Sequence, residues 1–446
     1  MQTYWFFTLM ASICLEGLGR RYLPQVPSVA FYLLKDGVLL FGFLMFKPDA
    51  RLRGIAKALY RGFGVFWIGG FIWTLVEVAN PEQQSLALAF LGLRAYWLWW
   101  IAPLVIATVL QSAYHRRRAV YILAAMAIGI SLLAALQFVS PPDSAINVYS
   151  VIDGEALHAS EAGMVYSTGR ARVSSTFAFL SGFADFTILV PVLLLSLGIE
   201  SSDRRLRSVA FAATGCVAAV LPMSGSRSSL VFGLGVLGIT AWAAGLFFTR
   251  VGRRIVIGGL VGMVLAAFAF PDALFGIQSR FEDVEETQSR FVAALSIVPP
   301  VAMATLDYPM GGVGTGMAQN AASSMGVTVN YPAELEPHRY LIELGVVGFC
   351  LVWTLKLGLM LALLRAYKVL KRAGRRGAAG AALSYAAVTF LGSLTFDHIW
   401  QALFFIGVGF ILAETRAALD AMKAKENAEK VVPALEPPSQ SVALAG

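Results

Sequence analysis

Long apolar runs separated by short basic or glycine-rich connections repeat along the whole chain. A helix needs about 20 apolar residues to cross the hydrocarbon layer. On that template the pattern predicts twelve spans, at 4–18, 28–46, 62–79, 94–112, 119–139, 176–198, 208–223, 228–248, 255–271, 341–364, 378–395 and 399–415. The expected fold class is an all-α polytopic membrane protein. Residues 1–19 carry no basic n-region and no small-residue cleavage site, so they read as a first span rather than a signal peptide. Two connections are long enough to fold. Residues 140–175 open on Pro141 and Pro142 and contain Gly154, Gly163 and Gly169. Residues 272–340 begin with "FGIQSRFEDVEETQSRFVAALSIV", where Phe281, Val284, Phe291 and Leu295 recur at roughly helical spacing. That spacing predicts an amphipathic helix lying on the membrane or the bundle, a lid over an outer cavity. The expected organisation is one transmembrane domain over 1–415, including loops 140–175 and 272–340, and a disordered cytoplasmic tail over 416–446 that ends through "EPPSQS".

Composition agrees with the pattern: 57% hydrophobic and 14% charged residues leave more apolar surface than a water-soluble domain of 446 residues could bury. Cys14, Cys216 and Cys350 all fall inside expected spans without metal-ligand spacing, so they read as bystanders and leave the redox compartment open.

The formal charge of +8 invites a nucleic-acid reading, and its distribution argues against one. Of 35 Lys and Arg, 24 lie in alternate connections and the tail: 47–61, "HRRR" at 115–118, "DRRLR" at 203–207, "RVGRR" at 250–254, "RAYKVLKRAGRR" at 365–376, and beyond Thr415. The positive-inside rule then puts both termini in the cytoplasm. The remainder are Arg20, Arg21, Lys35, Arg94, Arg170, Arg172, Arg227, Arg280, Arg290, Arg339 and Lys356. The two lysines lie within spans, and every cation assigned to the outer face is an arginine. Outer cations oppose the topological bias, and the planar guanidinium suits bidentate recognition of phosphate or carboxylate. The alternative is ordinary pairing with nearby acids, as Arg20 could make with Glu16 at i, i+4.

Three constellations carry candidate chemistry. In "GRARVSSTFAFLSGFADF" (169–186), Arg172 precedes Ser174, Ser175 and Thr176, which could cap the next helix and join its N–H groups into an anion site. In "LPMSGSRSSLVFGLG" (221–235), Arg227 sits in a tight hairpin between two spans, again followed by capping serines. Alone it reads as a snorkelling anchor; with Arg172 it becomes a clamp. The third, "YPMGGVGTGMAQNAASSMGVTVNYPAELEPHRYLIELGVVG" (308–348), has a glycine cluster without a βαβ unit around it, which excludes a dinucleotide loop and leaves a close backbone turn near a ligand. His338, Glu334, Glu336 and Glu343 gather where this loop re-enters the membrane, and His338, Glu336 and Glu343 are the candidate catalytic acid–base groups. His338 alone also fits a solvated loop residue. His398, in "FDHIW", is a second candidate. Neither a nucleophile elbow nor a two-His-one-carboxylate metal cluster is visible, so neither a cofactor nor a metal is expected.

The arginine ahead of "SSTF", the "SGSRSS" hairpin, "YPMGGVGTG" and "HRYLIELGVVGF" resemble, in order, the motifs of the O-antigen ligase and O-antigen polymerase superfamily of bacterial envelope proteins. "LEGLGRRYLP" and "LLKDG", within 15–37, are similar to openings of its exopolysaccharide polymerases. The resemblance implies a glycosyltransferase of the multi-span GT-C type in the bacterial inner membrane, using an undecaprenyl-pyrophosphate-linked oligosaccharide as donor. The acceptor would be another lipid-linked glycan in a polymerase, or lipid A-core in a ligase. A flippase and a chain-length regulator of the same pathway would be partners beside the bilayer, with no nucleic acid. Arg172 and Arg227 match the family's pyrophosphate-binding arginines, Arg290 matches a loop arginine, Arg339 joins this set, and His338 matches the loop histidine. Two departures stand out: "LS" or "SG" around 180–182 replaces "PN", and His338 lies only five residues before Glu343. Loss of an anomeric oxygen to pyrophosphate develops negative charge that preorganised arginines stabilise, while a base takes the acceptor proton, predicting a metal-independent reaction with inversion. A flippase for a lipid-linked oligosaccharide is the alternative from another class. It should line the bilayer depth with cations, whereas here only Lys35 and Lys356 lie deep. A scaffold whose arginines merely anchor helices is a third reading, opposed by the long polar loop 272–340. No repeat halves are visible, which weakens a secondary-transporter reading.

Overall fold

The structure is a computed structural model, and it describes residues 1–23, 25–152, 155–282, 303, 309–319, 322, 325–327 and 336–431. The chain runs through α1 (Gln2–Cys14), α2 (Glu16–Tyr22), α3 (Ser28–Met45), α4 (Ala50–Leu59), α5 (Gly64–Val78), α6 (Leu86–Trp97), α7 (Ala102–Val109) and α8 (Ala113–Val139). An antiparallel hairpin of β1 (Val148–Ile152) and β2 (Glu155–His158) follows, with Val148 opposite His158. Then come α9 (Leu180–Glu200), α10 (Arg204–Val220), α11 (Arg227–Ala243), α12 (Arg250–Ala269), α13 (Pro271–Glu282), α14 (Glu336–Arg372), α15 (Arg376–Val388) and α16 (His398–Val431).

Apolar helices make this a membrane-embedded helical protein, and six of them are long and apolar enough to cross a bilayer: Leu86–Val109, Ala113–Val139, Leu180–Glu200, Arg204–Ser224, Glu336–Arg372 and His398–Glu429. The pair α4 and α5, bent by 91°, adds a seventh if counted as one span. The other expected spans fall on α1, α3, α11, α12 and α15, which are not among these six, so the twelve-span count is not reached among the described residues.

Helix α9 is apolar all round, and residues Gly182 to Gly198 are buried throughout. A helix of that kind belongs at a bundle centre. It packs against α8, α10, α11, α15 and α16. At one end of the bundle the basic connections meet acidic residues of neighbouring helices. Arg117 lies 2.6 Å from Asp203, Arg116 lies 3.3 Å from Glu414, and Arg375 lies 3.7 Å from Glu200. The tail expected from 416 as disordered continues α16 to Val431, because Arg416 pairs with Asp49 at 2.7 Å and Asp420 with Arg51. Only the part beyond Val431 lies outside the described residues.

Two more expectations change. The span expected over 378–395 stops at Val388, and residues 389–397 are non-helical. Asp397 ends this segment by capping α16, accepting from Ile399 N at 3.0 Å and Trp400 N at 3.2 Å. The span expected over 341–364 is sharply bent inside α14. Gly345, with φ 62° and ψ −170°, leaves the helical region, and a Cβ there would meet Met310 O at 2.4 Å. Lys356 Nζ donates to Glu336 Oε2 at 2.6 Å across a sequence separation of 20 residues. On a straight helix those positions would stand about 30 Å apart. The segment 336–344 therefore folds back against the rest of α14.

Both lysines expected inside spans are buried and paired. Lys356 meets Glu336, and Lys35, with no exposed surface, meets Glu16 Oε2 at 2.6 Å. Glu16 also lies 3.3 Å from His398 Nε2 and 3.7 Å from Arg20, the i, i+4 pair the sequence offered. Removing one partner of a buried pair costs about 3–5 kcal/mol because the other charge is stranded. Glu16→Ala is therefore expected to lower stability by about 3–5 kcal/mol in unfolding experiments in mild detergent, and the added change Lys35→Met to recover most of it. Equal stability of the single and double variants would refute the pairing account.

Candidate anion-binding site

The end of the bundle opposite the basic connections is built from α2, the β-hairpin, the segment leading into α9, the turn before α11, and the starts of α13, α14 and α16. Two clusters of the sequence-predicted residues form there.

The first joins Arg172 to the "SGSR" turn. Arg172 N donates to Met164 O at 2.9 Å, and Val173 N to Met223 O at 3.1 Å, so the chain carrying Arg172 runs along the turn that follows α10. Arg172 Nε donates to Ser224 O at 3.3 Å, and the Tyr166 hydroxyl to Pro222 O at 2.7 Å. Gly225 turns the chain with φ 67°, and a Cβ there would stand 2.6 Å from Arg172 Nε. Glycine is thus required both by conformation and by the guanidinium laid across it. Ser226, ahead of Arg227, caps α11 by accepting from Ser229 N at 3.3 Å; the serines after Arg227, expected as the cap, lie within the helix, of which Arg227 is the first residue. The two arginine motifs, more than fifty residues apart, therefore share one turn.

Ser174, Ser175 and Thr176 do not cap α9. That helix starts later, at Leu180, and its N-cap Phe179 makes no side-chain cap bond. The serines are buried in a strap ahead of it, where Ser175 adopts φ 49° and spends its hydroxyl on Ile130 O at 2.8 Å. Tyr149 of β1 reaches the start of α9 through Leu180, and burial raises its hydroxyl above the ordinary tyrosine range, against the nearby Arg21 and Arg172.

An apolar groove leads to this turn. Between α10, α11 and α12 lies a cavity of about 890 Å³, reaching Leu246 and Arg254 at its far end. It shares Ala218, Ala219, Leu234 and Leu260 with a second space of about 300 Å³ that ends on Pro222 and Met223. Gly258, Gly259 and Gly262 of α12 leave the wall open, since a Cβ at any of them would meet nothing within 4 Å.

The second cluster sits on the folded-back segment of α14. Glu336 is committed: besides Lys356, its Oε1 accepts from Ser393 Oγ at 3.2 Å and Thr395 N at 2.9 Å. Glu343 has no exposed surface and accepts from the Tyr96 hydroxyl at 3.0 Å and Ala318 N at 2.8 Å. Arg339 lies over the Phe396 ring at 5.3 Å. His338 is half-buried, and among the described residues its Nε2 has no hydrogen-bond partner. His398 is held by Glu16 and by the edge-on Tyr32 ring at 4.5 Å.

The glycine-rich loop, expected as a close backbone turn near a ligand, packs against the protein's own backbone. Val313 N donates to Ile342 O at 2.8 Å, Gly314 N to Glu343 O at 3.2 Å, and Gln83 Nε2 to Thr315 O at 2.8 Å. Glu343 thus pins the loop through both its backbone and its side chain.

Arg290 and Glu334 lie outside the described residues, as does the expected amphipathic helix beyond Glu282; α13, starting at Pro271, covers its beginning. Sequence reasoning missed Arg21 as a clamp on the serine strap, and it missed the pairing of Asp36 with Arg94, to which Trp99 Nε1 adds a bond at 3.1 Å. The signal was available in "LLKDG": charges inside an apolar run require partners from other helices.

No protein-family model matches the chain, and no curated protein matches it.

Glu343→Ala removes two acceptors inside the bundle, leaving the Tyr96 hydroxyl and Ala318 N–H without partners. Each buried orphan costs about 1–3 kcal/mol. The variant is expected to be markedly less stable to heat and to expose the 309–319 loop to protease, whereas Glu343→Gln, which keeps one acceptor, should lose less.

Proposed function

We propose that the protein is a membrane glycosyltransferase that polymerises undecaprenyl-pyrophosphate-linked glycan units on the outer face of the bacterial inner membrane. What carries this reading is one juxtaposition: Arg172 lies across the Gly225 turn beside Arg227, at the head of an apolar groove between α10, α11 and α12. A ligand fitting both has an anionic head and a long hydrocarbon tail, which is the chemistry of a polyprenyl pyrophosphate. The twelve-span GT-C arrangement with both termini cytoplasmic belongs to the same proposal, as do a pathway flippase and a chain-length regulator as partners.

In this reaction the acceptor hydroxyl oxygen attacks the anomeric carbon of the donor sugar. The bond from that carbon to the pyrophosphate oxygen breaks, and the lipid pyrophosphate leaves with the bonding pair. Arg172 and Arg227 meet the charge as it develops, in a site where water is sparse and preorganised donors act strongly. His338 Nε2 takes the acceptor proton in this reading, because of the three acid–base candidates on the folded-back segment it is the one whose atom has no hydrogen-bond partner among the described residues, while Glu336 and Glu343 are bonded. Glu336 holds Lys356, and Glu343 holds the glycine loop, so both act by positioning. Attack opposite the leaving group inverts the anomeric centre. Arg339 and Arg290 complete the arginine set in this proposal.

The test is polymer formation in a deletion strain complemented with Arg172→Lys, Arg227→Lys or His338→Ala, with membrane abundance checked and lipid-linked intermediates resolved by length. Each arginine change is expected to lower the rate about 10²–10³-fold, the scale of losing one donor to a developing anion. Single lipid-linked units should accumulate on the outer leaflet. Long polymer stranded on the lipid carrier would identify a ligase instead, units trapped on the inner leaflet a flippase, and normal polymer from every variant would remove the site.

A further inference from the structure

Arg21 stands among the arginines the sequence placed at the outer face, yet only 3% of its surface is exposed. No carboxylate lies within ion-pair distance of it among the described residues. Glu16, on the same helix α2, is already taken by Lys35, His398 and Arg20. Burial lowers the pKa of Arg21 to about 10, so the guanidinium keeps its charge at neutral pH. Its two terminal nitrogens both donate to one place. Nη1 reaches Ser175 O at 2.9 Å, and Nη2 reaches Ser174 Oγ at 2.5 Å and also Phe177 O.

That strap carries backbone strain. Ser175 has φ 49°, a region that side-chain-bearing residues enter only when their surroundings over-determine them. The surroundings here do so. Gln137 Oε1 accepts from Ser175 N at 2.8 Å, Leu18 N donates to Thr176 O at 3.1 Å, and Gly17 lies so close that a Cβ would come within 2.1 Å of the Phe177 carbonyl carbon. Arg172 is two residues before the first clamped serine, and Val173 between them is bonded to Met223 at the arginine turn.

We infer that Arg21 is a positioning residue: by clamping Ser174, Ser175 and Phe177 it fixes the strap that aims Arg172 at an anion bound beside Gly225 and Arg227. This rests on the reading of Arg172 as an anion ligand. Lysine cannot substitute, because a single ammonium on a flexible stem does not span three acceptors in a fixed fork.

The experiment titrates inorganic pyrophosphate into the full-length protein in mild detergent, comparing wild type with Arg21→Lys, Ser174→Ala, Arg172→Lys and the double variant Arg21→Lys/Arg172→Lys. Ser174→Ala removes one acceptor only and keeps the test open if Arg21→Lys folds poorly. Arg21→Lys is expected to weaken binding about tenfold to a hundredfold, the scale of a lost charged hydrogen bond, and Ser174→Ala less. The decisive readout is the cycle. If Arg21 acts through Arg172, its effect vanishes once Arg172 is changed; a merely structural residue would lower the melting temperature and leave the affinity of folded protein unchanged. Wild type that binds pyrophosphate with Arg21 variants of equal affinity overturns this inference alone. Additive losses in the double variant make Arg21 a direct ligand and also overturn it. Wild type that fails to bind pyrophosphate overturns the anion-site reading beneath it.

Discussion

A charge inside this bundle has no water to solvate it, and that constraint decides how the end carrying the site is built. Lys35 and Lys356 each lie deep and each meets a glutamate at 2.6 Å. The first pair ties α3 to the start of α2 and, through His398, to α16. The second folds α14 back on itself at Gly345. Neither pair is a net source of much stability, since desolvation offsets most of the attraction. Their effect is on geometry: alternative packings that separate the partners leave a bare charge in an apolar medium, so the arrangement of α2, α3, α14 and α16 is fixed relative to its competitors.

The same logic governs the irregular backbone. Three non-helical segments carry buried residues: the serine strap before α9, the glycine loop at 309–319, and residues 389–397. Non-helical chain is tolerated there only when its N–H and C=O groups find partners in the protein. Each segment has a dedicated polar side chain supplying them. Arg21 and Gln137 serve the strap, Glu343 with Gln83 serves the glycine loop, and Glu336 with Ser393 serves 389–397. Many polar groups that look catalytic in the sequence are therefore spoken for by backbone.

This explains what could and could not be foreseen. The apolar runs were legible as helices because length and hydropathy are local properties, and α8, α9 and the start of α16 appear close to where the pattern puts them. The breaks were not legible. Nothing local distinguishes Gly345 from the other glycines of apolar runs; its role depends on Met310 O standing where a side chain would go. Likewise "LGSLTFDH" is apolar enough to extend a helix, and it fails to because Ser393, Thr395 and Asp397 bond to Glu336 and to the start of α16. Of the site, the meeting of Arg172 with the "SGSR" turn was legible as a pair of unusual outer arginines. The commitments of Glu336 and Glu343 were not, because they depend on Lys356 and Tyr96, which lie 20 and 247 residues away.

The division of labour among the titratable groups follows from those commitments. A general base needs a lone pair aimed at the proton it will take. Both oxygens of Glu336 and both of Glu343 already accept hydrogen bonds from groups whose own satisfaction depends on them. Recruiting either carboxylate for proton transfer would loosen the fold at the moment of reaction. His338 carries no such obligation at Nε2, and it rides on the short segment that the Lys356 pair holds in place. Glu336 thus contributes to the chemistry of the proposed site by anchoring the helix that presents the histidine. The arginine side is built alike, with Arg172 facing the turn while Arg21, one layer behind, holds the backbone from which it projects.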